Sequence, residues 1–249
     1  MWVIIFVVVL SFYILYSTPI FLQFGVANFP LKNSWSQKLS NAIVDISTSN
    51  DNSVILARTK YMLYAIQAVN GEVIWSFPLS NQVYHSPARN IGKTVYVTDS
   101  KFLYAIRIDD GSEMWKQPLP ESGGRLVDLS ESLILVNQTS YDIRAYGTQS
   151  GQLLWSVPAG RGFVQAYVDD DMVYIVDDGI NAVKSSTGES AWHHGNKVIG
   201  ESTYNKRIIY YTSENRVTAF DTQARKELWN TNLPENGFLR FRCNSQDKL

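Results

Sequence analysis

Tyr104–Trp115 reads YAIRIDDGSEMW: an alternating apolar run, an Asp109-Asp110-Gly111 turn, and a second short run ending on tryptophan. The phrase also stands at Tyr64–Trp75 (YAIQAVNGEVIW), and it returns at Ala145–Trp155, Ala182–Trp192 and Ala219–Trp229. In all five copies an alanine lies ten positions before the tryptophan: Ala65, Ala105, Ala145, Ala182 and Ala219. Gly71, Gly111, Gly151 and Gly188 lie four positions before it, and Arg225 takes that place in the last copy. Trp35 sits one period upstream without the rest of the phrase. From Trp35 to Trp229 the steps are 40, 40, 40, 37 and 37 residues. A period of this size means a solenoid, a propeller or an array.

Each period divides into four short runs. The clearest copy has runs at Gln82–Ala88, Thr94–Thr98, Phe102–Ile108 and Glu113–Gln117, with turns at Asn90–Gly92, Asp99–Lys101 and Asp109–Gly111. The runs are β-branched and aromatic and the gaps hold Gly, Asn, Asp or Ser, so they predict strands joined by hairpins. Inner runs such as Thr94–Val97, Leu133–Val136, Met172–Val176 and Ile208–Tyr211 are apolar on both faces, as in strands sandwiched between layers. Four short antiparallel strands per forty residues describe a propeller blade. A β-sandwich has no reason to repeat tryptophan at fixed phase, and two-residue alternation excludes helical repeats. The expected fold is therefore all-β, a β-propeller of four-stranded antiparallel blades with five full repeats plus partial strands. Each tryptophan should fill the wedge between sheets, with the fixed alanine and glycine leaving it room. Its indole N–H should reach a backbone carbonyl of the neighbouring blade.

Composition narrows the function classes. Apolar residues at 45% suffice for a core, and aromatic residues at 13% suit strands packed on both faces. Lysine plus arginine number 22 against 23 acidic residues, which leaves no basic field to hold nucleic acid. Cys243 is the one cysteine, so an intrachain disulfide or a cysteine-based metal site is excluded.

Residues Trp2–Phe24 carry no charge and are long enough to span a bilayer. Residues 1–27 are read as a signal peptide or membrane anchor, 28–34 as a linker and 35–249 as the propeller. Gly25-Val26-Ala27 has the small residues of a signal-peptidase site. No Lys or Arg precedes the run, whereas Lys32 and Lys38 follow it, which opposes the orientation that export requires. Export remains the favoured reading, since the opposite topology would need a reason to tether such an array inside the cell. No cysteine directly follows the run, so a lipid-anchored signal is not expected. A tail strand at Gly237–Asn244 and a last strand at Trp35 would give the two ends of a shared blade. The alternative, favoured here, is an open arc of five blades plus partial strands.

Leu103-Tyr104-Ala105-Ile106 with Asp110-Gly111-Ser112-Glu113-Met114-Trp115, and Leu63-Tyr64-Ala65-Ile66 with Asn70-Gly71-Glu72-Val73-Ile74-Trp75, resemble the repeat Ala-x-Asp-x-x-x-Gly-x-x-x-Trp of the pyrroloquinoline-quinone (PQQ)-like β-propellers. The resemblance runs from Trp35 to Trp229 and rests on blade architecture. Its dehydrogenase members imply PQQ at the ring centre, a vicinal cysteine pair, a calcium site and a catalytic aspartate. This chain has one cysteine and no catalytic aspartate that the motif maps, so neither PQQ nor calcium is supported. Non-catalytic members, among them the propeller lipoprotein of the outer-membrane β-barrel assembly machine, imply a protein-binding scaffold.

The remaining candidates have plain alternatives. Asp169–Asp171 and Asp177-Asp178 offer oxygen ligands for a hard cation. They flank one strand, whose ends lie about 17–20 Å apart, so hairpin turns explain them. His193-His194, on a strand-to-strand loop, and His85, at the start of a blade, find no third ligand with suitable spacing and are read as surface residues. Gly123-Gly124-Arg125 and Gly160-Arg161-Gly162 fall between blades and open no helix, so they make no phosphate cradle. Arg125 and Arg161 are the first candidates for partner contact, because blade-linking loops line one face of a propeller. Asn137-Gln138-Thr139 is a glycosylation sequon. No hydrolase elbow, zincin or Walker phrase is present. The sequence thus points to an extracytoplasmic, non-catalytic propeller with a protein partner, tethered or exported by its N-terminus. The rival readings are a PQQ-dependent dehydrogenase, or diverged fragment of one, and a ligand-binding luminal sensor.

Overall fold

The computed structural model describes residues 35–80, 86–119, 124–138, 141–160, 164–195 and 200–233. The chain divides into two compact units, Met1–Lys38 and Leu39–Leu249. The described part of the first unit, residues 35–38, carries no strand, so Trp35 does not lie in the last strand expected for it. Residues 1–34, with the proposed signal or anchor, lie outside the described residues, as does the tail strand proposed at 237–244. No helix among the described residues is long and apolar enough to cross a membrane.

The second unit is five four-stranded antiparallel sheets, each paired in chain order. Blade 1 is β1 (Ile43–Thr48), β2 (Val54–Thr59), β3 (Met62–Gln67) and β4 (Val73–Pro78). Blade 2 is β5 (Arg89–Ile91), β6 (Thr94–Thr98), β7 (Phe102–Arg107) and β8 (Glu113–Pro118). Blade 3 holds β9 (Gly124–Leu129), β10 (Leu133–Gln138), β11 (Asp142–Gly147) and β12 (Leu153–Pro158). Blade 4 holds β13 (Gln165–Asp169), β14 (Met172–Val176), β15 (Ile180–Lys184) and β16 (Ser190–His194). Blade 5 closes the series with β17 (Ser202–Asn205), β18 (Ile208–Ser213), β19 (Arg216–Asp221) and β20 (Lys226–Asn232).

The first strand of blade 2 departs from the sequence expectation. Asn90 and Ile91, read as a turn, pair with Val95 and Thr94, while residues 86–88, read as strand, form none. The Asn90 side chain donates to the Gly92 carbonyl at 3.1 Å, and Gly92 takes a φ of 50°, so the reversal fits into Gly92-Lys93. Residues 82–85 of that run lie outside the described residues.

Alternation along the inner strands buries both of their faces. In blade 2, Val95, Val97, Tyr104 and Ile106 pack with blade 1, whereas Tyr96, Leu103 and Ala105 pack with blade 3. Similar clusters join blades 3 and 4 and blades 4 and 5, so the sheets stack face to face in chain order. The apolar content of the inner runs is thus explained by packing on two sides.

The repeated phrase folds the same way in each blade. Its turn closes with the glycine amide donating four residues back, Gly71 to Gln67, Gly111 to Arg107, Gly151 to Gly147 and Gly188 to Lys184, at 2.8–2.9 Å. These glycines take φ of 65–78°, the left-handed region that side chains avoid. The residue before each glycine adds a side-chain acceptor, as Asp110 Oδ1 does for the Ser112 amide at 2.9 Å. Each alanine pairs across the hairpin with its own tryptophan, and a β-bulge follows at once. Its extra residue, directly before the tryptophan, is Ile74, Met114, Leu154, Ala191 or Leu228, all exposed. A bulge on every outer strand blunts an edge that would otherwise invite pairing.

Three of the tryptophans hydrogen-bond to the next blade. Nε1 of Trp75 donates to the Ile108 carbonyl at 2.6 Å, Trp115 to Thr148 at 3.1 Å and Trp155 to Ser185 at 2.7 Å. Each acceptor directly follows the third strand of the neighbouring blade. The glycine makes room for the preceding blade's indole: a Cβ on Gly111 would stand 2.7 Å from Trp75, one on Gly151 2.5 Å from Trp115, and one on Gly188 2.9 Å from Trp155. Sequence offsets tied glycine and tryptophan within one phrase; in space, phrase n+1 seats the tryptophan of phrase n. In the last copy Arg225 replaces the glycine at φ 53°, and its guanidinium lies 5.8 Å over the Trp192 ring.

Candidate partner-binding surface

Strand direction gives each blade two ends. The linkers between blades and the second-to-third-strand turns share one end, and the first-to-second and third-to-fourth turns share the other. We call these the linker end and the turn end.

Arg125 enters at the linker end of β9, half-buried, and its Nη2 donates to the Val164 carbonyl of the next blade. Burial, and then the neighbouring Arg89, bring its pKa down to about 10. Arg125 therefore helps hold the seam between blades 3 and 4. It belongs to a set of polar bridges, about forty residues apart, between first strands or the residues just before them. Ser47 Oγ donates to the Ala88 carbonyl at 2.5 Å, and Arg89 pairs with Asp128 at 3.1 Å. Asp128 in turn accepts the Val168 amide at 3.0 Å, and the Leu126 amide donates to Ser86 Oγ at 3.1 Å. Arg161, the companion candidate, lies outside the described residues, as do Gly123, Gly162 and His85.

The aspartate clusters do sit at opposite ends of blade 4. Asp169–Asp171 form the first-to-second turn, where Asp170 has φ 44°. Asp177 lies at the linker end, accepting the Gly160 amide at 2.7 Å through Oδ2 and Asn181 Nδ2 at 3.0 Å through Oδ1. It thus clasps the linker arriving from blade 3. His193 and His194 end β16 rather than occupying a loop. His193 Nδ1 is 2.8 Å from Asn181 Oδ1 of its own blade, whereas His194 stacks on Phe220 of blade 5 at 4.3 Å. The two rings face opposite ways, as adjacent strand residues must. Among the described residues no three His, Cys, Asp or Glu side chains converge where a cation could be held. Asn137 of the sequon is a strand residue in β10.

Three side chains that sequence reasoning passed over carry much of the polar chemistry. Asp99, fully buried after β6, clasps the linker from blade 1 as Asp177 does that from blade 3. Its Oδ2 accepts the Ser80 amide and the Tyr104 hydroxyl, both at 2.8 Å, and Oδ1 accepts the Lys101 and Phe102 amides, also at 2.8 Å. Burial pushes the carboxyl up, but these donors outweigh it and hold the pKa below the ordinary value. Arg58 is fully buried, with Nη1 donating to the Ser86 carbonyl at 2.5 Å. Burial lowers its pKa, and the Asp45 and Asp99 carboxylates oppose that. Asn90 is the third. The visible signal for Asp99 and Asp177 was an aspartate one residue after a second strand, two periods apart. Arg58 and Asn90 had none. At the linker end, Tyr61 and Tyr141 are exposed beside these clasps.

Two overlapping stretches, residues 32–118 and 101–238, match the model of a PQQ-like repeat family described as outer membrane protein assembly factor BamB. Among solved structures, the crystal structure of BamB from Moraxella catarrhalis has the same fold, with a TM-score of 0.60 at 20% identity. The match covers 80% of this chain and 64% of that one, so the chain spans less than two thirds of that structure's length. No curated protein sequence matches the chain.

Proposed function

The chain belongs to the BamB family of PQQ-like β-propellers, and on that premise we propose that it is a non-catalytic, protein-binding scaffold working outside the cytoplasm. One observation carries this reading: the repeated phrase is used up in joining blades. Trp75, Trp115 and Trp155 are committed to neighbouring carbonyls, and the glycines seat their rings. What remains for chemistry is a rigid display of turns and linkers, which suits a binding surface. The single cysteine, which leaves no vicinal pair, supports the non-catalytic assignment.

The partner is a protein of a membrane-associated complex, with outer-membrane protein assembly as the family's precedent. The uncharged run at 2–24 serves as tether or export signal. The linker end, with Tyr61 and Tyr141, makes the contact, and Arg161, which lies between β12 and β13 in the sequence, is the arginine we assign to it; Arg125 supports it from within the seam. The test is the native mass of the full-length protein gently extracted from its own membranes. Migration in a large assembly, lost on Arg161→Glu with Tyr141→Ala, is expected. Migration as a lone monomer overturns the proposal.

A further inference from the structure

Blade 5 packs one face on blade 4 through Ile209, Tyr211 and Phe220. Alternation turns Ile208 and Tyr210 to the other face, where the Tyr210 ring lies 6.1 Å from that of Trp229. The same tyrosine stands in two earlier blades. Tyr96, Tyr174 and Tyr210 pair with the phrase alanines Ala105, Ala182 and Ala219. Tyr96 and Tyr174 lie 6.0 and 5.8 Å from Trp115 and Trp192. Both are buried, whereas Tyr210 is half-buried and Trp229 exposed. The cover over Tyr174 comes from the first strand of the following blade, where Tyr204 of β17 packs on it at 5.6 Å. Tyr204 stands twelve residues after Trp192.

Leu233 shows which way the chain leaves blade 5. Its amide donates to the Asn215 carbonyl at 2.6 Å, as those of Leu79, Leu119 and Ala159 donate to Tyr61, Lys101 and Tyr141 at 2.6–2.8 Å. Each of the four donors stands four residues after its tryptophan, and after each of the first three the chain crosses to the next blade. Beyond Leu233, outside the described residues, the sequence repeats the exit from blade 2. Leu233-Pro234-Glu235-Asn236-Gly237 matches Leu119-Pro120-Glu121-Ser122-Gly123, the run that leads into β9. Leu239 and Phe241 then alternate with Arg240 and Arg242, the pattern of a strand with one apolar face. Phe241 stands twelve residues after Trp229, in the place of Tyr204.

We propose that the open face of blade 5 is a docking surface for this chain's own residues 238–243, laid on it as the first strand of a further sheet, with Phe241 against Tyr210 as Tyr204 is against Tyr174. Leu239 joins Phe241 on the apolar side, and Arg240 and Arg242 point away from blade 5. Ring contact adds to the apolar area buried. The Leu233 clasp holds the tail beside this face at an effective concentration that a second copy or a separate protein does not share. The docking needs no partner protein, so it stands apart from the scaffold reading.

The test uses the full-length, isotope-labelled protein with a nitroxide on Asn244→Cys in a Cys243→Ser background, followed by amide NMR. Broadening should centre on Asn205, Lys206 and Arg207, at the β17–β18 turn, and leave blades 1–3 sharp. In the unlabelled protein, Phe241→Ala should speed hydrogen exchange of the β18 and β19 amides about tenfold, and Phe241→Tyr should leave it unchanged. Broadening at Ile43–Thr48 would place the tail on blade 1 and overturn the proposal. Broadening seen only when nitroxide-bearing and isotope-labelled copies are mixed would assign the face to a second copy. Evenly spread broadening, or unchanged exchange in Phe241→Ala, would show that the tail does not dock.

Discussion

Trp75 and Trp229 hold equivalent places in the repeat, yet one is 7% exposed and the other 47%. The difference is a neighbour: Trp75 has Gly111 and the Ile108 carbonyl beside it, and the described residues place no such seat against Trp229. Trp75→Ala should therefore cost about 3–5 kcal/mol as a buried cavity mutation, and Trp229→Ala about 1 kcal/mol or less. Urea unfolding of the two variants compares them directly; equal losses would contradict the seat. Asp99 gives the pH counterpart. Its pKa is lowered in the folded state, so its stabilisation is complete above the ordinary carboxylate value and drains away as pH falls through the lowered one. Asp99→Asn keeps an acceptor but not the charge that serves four donors. It should lose about 1–3 kcal/mol at neutral pH and show a flatter decline below about pH 4. Thermal melts across pH 2–7, about 5 points, would expose a curve parallel to the parent's if this is wrong. Trp, Ala and Gly were legible at this scale because a fixed period isolates them. Arg58 was not, since the Ser86 carbonyl it reaches lies 28 residues further along the chain and no local pattern marks it.

The hairpin that carries the phrase shows what spacing can and cannot convey. Its strand, turn and strand were readable from Asp110-Gly111 and the flanking alternation. The bulge was not, although it sets the register of the Ala105–Trp115 pair, because one extra residue leaves the ten-residue offset unchanged. The strand misplaced at the start of blade 2 failed for a related reason: Asn90 is a turn former by type, but here its side chain closes the turn from within the strand. The glycine's two duties can be separated by substitution. Gly111→Ala places a Cβ 2.7 Å from the Trp75 ring at φ 73°, so strain and clash add, and a loss of about 2–4 kcal/mol is expected. Arg225→Gly runs the other way. It relieves a left-handed side chain but gives up the cation over Trp192, two effects of about 1 kcal/mol each. A net change within about 0.5 kcal/mol is expected, and a loss as large as that of Gly111→Ala would show that Arg225 is the main clasp of that seam.

Among the described residues of the second unit, the apolar clusters join each sheet to the sheets before and after it, so stability is passed from seam to seam. The seams are unequal. Blades 1–2, 2–3 and 3–4 each have an indole N–H bonded to a carbonyl and a glycine under the ring. Between blades 4 and 5, Trp192 is half-buried and is held by Tyr174, Phe220 and Arg225 through ring contacts at 5.8–5.9 Å. Every residue of β20 beyond it is exposed. The sequence foretold a stack of five blades because the period repeats; it did not foretell the ranking of seams, which depends on one glycine-to-arginine exchange and its partner ring. Native-state hydrogen exchange reads that ranking. The amides of β10 and β11, flanked on both sides by indole-bonded seams, should open only with global unfolding. Those of β18 and β19 should exchange through a smaller opening, on the order of 2–3 kcal/mol less protected, without exposing blade 3. Uniform protection from β6 to β19 would mean that the five sheets unfold as one unit and that the Trp192 seam is as strong as the rest.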